Sequence, residues 1–101
     1  MITALEKVKR LEAYLSMNNA DSVLDKSISK LLAREQMRMK QLIFRLQEQL
    51  NQFEQQHRLS SQDFYLRYSL GEMSDDMDFI EWASTVEMMN NLKKRVALLD
   101  S

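Results

Sequence analysis

Residues 22 to 56 contain no glycine and no proline, and apolar side chains recur through them at three- and four-residue steps. Val23, Leu24, Ile28, Leu31, Leu32, Met39, Leu42, Ile43, Leu46, Leu50 and Phe53 form that stripe. A period near 3.6 is the signature of one face of an α-helix. Uninterrupted, this helix extends roughly 50 Å at 1.5 Å per residue, against the about 11–12 residues of an ordinary globular helix. So long a stripe needs cover along its length. The reading is a coiled-coil-like homodimer or higher oligomer, with Met39, Leu42, Leu46, Leu50 and Phe53 as the interface. Glu35 and Gln49 interrupt the seam, so a strict leucine zipper is not expected.

The rest of the chain fits the same helical economy. Of 101 residues one is glycine and none is proline, which leaves little of the punctuation that strands and tight turns require. Residues 3 to 17 carry Leu5, Val8, Leu11 and Leu15 on one helical face. Asn18 and Asn19 suit its end, and Asp21 or Ser22 suits the cap of the long helix. Ser60 or Ser61 caps a short helix over 61–70, with Asp63 in its first turn and Gly71 as its left-handed stop. Asp78 then caps a last helix, with Glu81 three residues on as in a capping box. Phe79, Trp82, Ala83, Val86, Met89, Leu92, Val96 and Leu99 give that helix its apolar face, and Lys93, Lys94 and Arg95 complement its dipole. Met88 and Met89 are adjacent, so one of them points away from the stripe. The fold class is all-α: a single domain with an N-terminal helix in 1–19, a long dimerisation helix over 22–56, and an aromatic–acidic corner with a C-terminal helix over 60–101.

Residues 64–82, "FYLRYSLGEMSDDMDFIEW", gather five of the eight aromatics, the single tryptophan, the single glycine and five carboxylates. Two roles fit the rings: a local aromatic core at a helical hairpin, or an exposed hot spot for a partner. Charge is divided along the chain. Residues 1–58 carry ten Lys/Arg against seven Asp/Glu, and residues 59–101 carry four against eight. Lys26, Lys30, Arg34 and Arg38 follow one another at steps of four, a solvated face, a surface for the acidic turn, or a row for phosphate contact. The near-neutral total argues against nucleic acid as the main partner.

Little here supports catalysis. Cysteine is absent, which removes disulfides and thiolate chemistry and fits a reducing cytoplasm. His57 is the sole histidine and lies at a predicted helix end, where it serves the last carbonyls. Glu72, Asp75, Asp76, Asp78 and Glu81 lack the glycine and the terminal glutamate of a calcium loop, and read as helix-capping acids. No catalytic residue, metal or cofactor is assigned. No apolar run approaches the about 18 residues of a membrane span, and the expectation is a soluble cytoplasmic protein.

The string "FEQQHRLSSQDFYLRYSLGEMSDDMDFIEW" and the helix after it, residues 53–99, resemble small antitoxins of the TumA-like family. The matching positions are Phe53, Glu54, Ser60, Ser61, Phe64, Tyr65, Tyr68, Gly71, Glu72, Asp75, Asp76, Asp78, Phe79, Glu81 and Trp82. Such proteins are often encoded beside a small TumE-like toxin. The resemblance implies a non-enzymatic oligomer that neutralises a toxin by binding it. The corner supplies the candidate contacts Tyr65, Tyr68, Glu72, Asp75, Asp76 and Trp82. The alternative is an oligomeric helical scaffold or adaptor, which a buried Trp82 favours.

Overall fold

The computed structural model describes residues 2–17 and 22–100. The caps expected at Asn18, Asn19 and Asp21 lie outside them. Four helices follow in order: α1 (Ala4–Met17), α2 (Ser22–His57), α3 (Ser61–Ser69) and α4 (Met77–Asp100), with no strand among the described residues. The all-α class and the long central helix expected from periodicity are both present. Two compact units, Met1–Ala33 and Arg34–Ser101, meet at a boundary within α2.

In the first unit Thr3 caps α1, its Oγ1 accepting from the Glu6 amide at 3.1 Å. Leu11 and Tyr14 of α1 and Val23, Leu24 and Ser27 of α2 line a shallow depression. No residue of α1 is buried, and Leu5, Val8 and Leu11 stay exposed.

The second unit holds the core. α4 folds back antiparallel along α2: Gln56 reaches Asp78 at 3.4 Å, while Gln36 Nε2 donates to the Leu99 carbonyl at 3.0 Å and to Asp100 at 3.1 Å. Met39, Leu46 and Leu50 are buried, and Leu42 and Phe53 are half-buried. Leu46 and Leu50 share one cluster with Phe64, Trp82, Ala83, Val86 and Met89, and Phe53 packs against it. Of the five residues expected at a dimer seam, Leu46, Leu50 and Phe53 therefore pack within the chain, and Leu42 lines an open groove between α2 and α4. The periodicity correctly marked a face needing cover, but α4 supplies that cover within one chain. Of the adjacent methionines, Met89 is buried and Met88 is exposed.

The start of α4 carries a further correction. α4 begins at Met77, and the Asp76 carbonyl accepts from Phe79 and Ile80. Asp78 therefore sits inside the first turn rather than at the cap, and the expected capping box with Glu81 has no place to form. At the other end the Gln36 amide meets the terminal carbonyl, while Lys93–Arg95 lie before the last turn.

Both turns of this unit close in the same way. The Gly71 amide donates to Tyr68 O at 3.1 Å and the Glu72 amide to Arg67 O at 2.9 Å, with Gly71 at φ 76°. This is a Schellman close around a left-handed residue. After α2 the Leu59 amide reaches back to Glu54 O at 3.3 Å, and the left-handed position is held by Arg58 at φ 51°. A non-glycine residue there costs roughly 1–2 kcal/mol, partly offset by glycine's greater freedom when unfolded. Arg58→Gly is therefore expected to stabilise the protein by about 0.5–1 kcal/mol. Gly71→Ala is expected to destabilise it by about 1 kcal/mol through backbone alone, since an added Cβ meets nothing within 4 Å. Urea unfolding of both variants checks the opposite signs.

Candidate functional site

The corner between α2, α3 and α4 holds every candidate contact residue. Ser60 caps α3, its Oγ accepting from the Asp63 amide at 3.1 Å. The Glu54 carboxylate, from the last turns of α2, accepts from the Ser61 amide at 2.7 Å. Trp82 Nε1 donates to Ser61 Oγ at 2.9 Å. These bonds fasten α3 to both long helices and satisfy the buried indole N–H, which otherwise carries a desolvation cost.

Six rings fill the angle. Trp82 lies flat on Phe64, with centroids 3.9 Å apart and planes 2° from parallel. It also stacks on Phe53 at 5.6 Å and His57 at 5.4 Å. Phe79 touches Phe64 and His57, and Tyr68 tilts against Phe64 at 5.6 Å. Trp82 and Phe64 are both 0% exposed. Trp82 thus offers no surface to a partner in this conformation, and its role is the core of the corner. His57 also departs from expectation. It closes the ring stack instead of serving helix carbonyls, and its buried Nε2 faces Asp78 at 4.0 Å without a hydrogen bond.

The remaining candidates lie further out. Tyr65 and Tyr68 are half-buried, and Tyr65 Oη donates to Glu87 Oε1 at 2.8 Å. Glu72, Asp75 and Asp76 are exposed, as are Asp78 and Glu81. From Tyr68 to Leu92 there are six acids and no Lys or Arg. Two apolar side chains stand at this rim, Leu70 at 65% and Met77 at 69% exposure. Neither was a sequence candidate. Leu66 and Leu70, four apart on the side of α3 away from Phe64, were the available signal.

The clefts near the corner are open grooves. One lies between Gln49, Gln52, Phe53 and Gln56 of α2 and Ile80, Glu81 and Ser84 of α4. Among the described residues no three acids or histidines converge as a metal site, and no helix is long and apolar enough to cross a membrane. No protein-family model, curated protein or solved structure matches the chain.

The hydrogen bond to Glu87 is the first cause that raises the Tyr65 phenol above its ordinary value, followed by burial and the carboxylate's charge. A raised phenol pKa means that the contact's stabilisation is complete below the ordinary tyrosine range and is lost as pH climbs through the shifted value. Glu87→Gln is expected to lower the Tyr65 pKa, read as the difference between the ultraviolet phenolate titrations of variant and wild type. Trp82→Ala is expected to cost about 3–5 kcal/mol in urea unfolding, and Leu66→Ala, on the exposed side of α3, no more than about 0.5 kcal/mol.

Proposed function

We propose that this chain acts in the cytoplasm as an antitoxin-type protein, neutralising a small cognate toxin by direct binding and without catalysis of its own. The observation that carries the reading is the exposed acidic rim, Glu72, Asp75 and Asp76, between the exposed Leu70 and Met77 at the corner. Toxins that act on RNA need positive charge around their sites. A fixed array of carboxylates can occupy such a surface in place of phosphates. Leu70 and Met77 supply the apolar contact that the sequence reading gave to Trp82, and Tyr65 and Tyr68 flank it. The resemblance of residues 53–99 to TumA-like antitoxins supports the same reading.

A second reading rests on a different observation. Trp82 is wholly buried, and Phe64 with it, so the rings of the corner serve folding first. That favours an oligomeric scaffold or adaptor, which presents its surfaces without neutralising anything.

Co-expression with adjacent reading frames separates the two. The antitoxin reading expects one neighbour that is toxic alone, harmless with this chain, and co-purified with it. Absence of any toxic neighbour leaves the scaffold. Where a complex forms, Asp75→Lys with Asp76→Lys is expected to weaken it at least about tenfold, with little change in unfolding midpoint. Unchanged affinity would sink the electrostatic mechanism.

A further inference from the structure

The groove between α2 and α4 carries a charge pattern that is its own complement. Glu81, Met88 and Arg95 are exposed and follow one another at seven-residue steps along α4. Seven residues are close to two helical turns, so the three side chains form one row, roughly 10 Å apart. Exposed Ser84 and Asn91 fall between them, completing the three- and four-residue steps along which a second helix packs. The flanking bank on α2 is basic at the Arg95 end and neutral at the Glu81 end. At one end Arg45 and Arg95 frame a groove floored by Leu42, Leu46, Met88 and Leu92. At the other, Glu81 and Ile80 lie beside the neutral Gln49, Gln52 and Gln56.

These charges have no partners at home. Among the described residues the ion pairs within 4 Å are Arg38–Glu35 and His57–Asp78. Glu81 and Arg95 are about 20 Å apart along a straight helix, too far to meet. Of the stripe first assigned to pairing, Leu46 and Leu50 are buried within the chain, while Leu42 stays at the groove. Met88, 54% exposed at the centre of the row, is left on the outside between opposite charges.

We propose that this groove is the pairing surface for a second copy of the chain, with the two α4 helices antiparallel and the two-fold axis at Met88. Rotation about that axis sets Glu81 of each copy against Arg95 of the other, places Met88 on Met88, and brings the small Ser84 to within about 1.5 Å of the level of Asn91. One sequence thereby makes both charge contacts, as an isologous interface requires. An unrelated helix would need the reverse charge order by coincidence. The apolar floor and Met88 supply the burial. The exposed ion pairs fix direction and register and make the pairing sensitive to salt. The inference deepens the reading of the protein as an oligomer by naming its surface, and is independent of whether a toxin is bound.

Sedimentation equilibrium of the full chain tests it, with circular dichroism to verify that each variant keeps its helix content. The wild type is expected to be a dimer that weakens as salt rises. Arg45→Glu with Arg95→Glu, and separately Glu81→Lys, are each expected to raise the dimer dissociation constant at least about tenfold. An equimolar mixture of the two variants is expected to recover a heterodimer, because every facing charge is then opposite. Met88→Lys is expected to disrupt pairing in any mixture. A wild type that stays monomeric overturns the pairing and the oligomeric reading together. A dimer indifferent to all these variants overturns this surface and leaves the oligomeric reading standing. Variants that separate but do not recombine overturn the antiparallel register.

Discussion

Trp82 lies against Phe64 at 3.9 Å, and the contact joins α3 to α4 while Phe53 and His57 bring α2 onto the same indole. A nine-residue helix such as α3 is too short to hold its shape alone. Here its cap, its first amide and its one buried ring are all engaged by neighbours. Ser60 caps it, Glu54 holds the Ser61 amide, and Ser61 in turn accepts from Trp82. Offset or edge contacts between rings contribute about 0.5–1.5 kcal/mol each beyond the area they bury. The shared indole makes those contacts interdependent. The antiparallel return of α4, and with it the cover of the α2 stripe, begins from this junction.

The same junction explains which parts of the fold were legible in the sequence. Most local signals located the helices, though the Asp78 cap did not form. Apolar periodicity marked α1, α2 and α4, and α3 was marked by its ends, Ser60 at the start and the lone glycine at the stop. Which molecule covers a stripe is a matter of topology, and periodicity is blind to it. Met39, Leu42, Leu46, Leu50 and Phe53 read identically whether their partner is a second copy or α4. Glu54 and Gln36 illustrate the rest. Each looks like a solvated helix residue, and each satisfies a backbone group on another helix. Arg58 in a left-handed turn is likewise invisible to a search for glycine.

The candidate site divides along the same line. Phe53, Glu54, Ser60, Ser61, Phe64, Gly71 and Trp82, all within the antitoxin-like pattern, have folding roles in this structure. These residues build the corner. The surface left to a partner lies around the ring core: the acids from Glu72 to Asp76, the exposed Leu70 and Met77, and the outer row of α4. Surface charge was legible as composition, since the acids cluster in the sequence. Its directional order along α4 became meaningful only once the buried face had been identified and subtracted.

The uneven distribution of buried side chains has a consequence for how the molecule melts. Residues 34–101 contain every buried residue of the described chain, and α1 contains none. Opening free energies follow burial, so amide protons of α1 are expected to exchange with solvent through local fraying, while those beside Leu46 and Leu50 exchange only on global unfolding. A single van't Hoff enthalpy then describes the ring-locked hairpin and not the whole chain. The α2 backbone is continuous by hydrogen bonding, yet it passes within one helix from a segment stabilised by its own propensity to one clamped by tertiary contact.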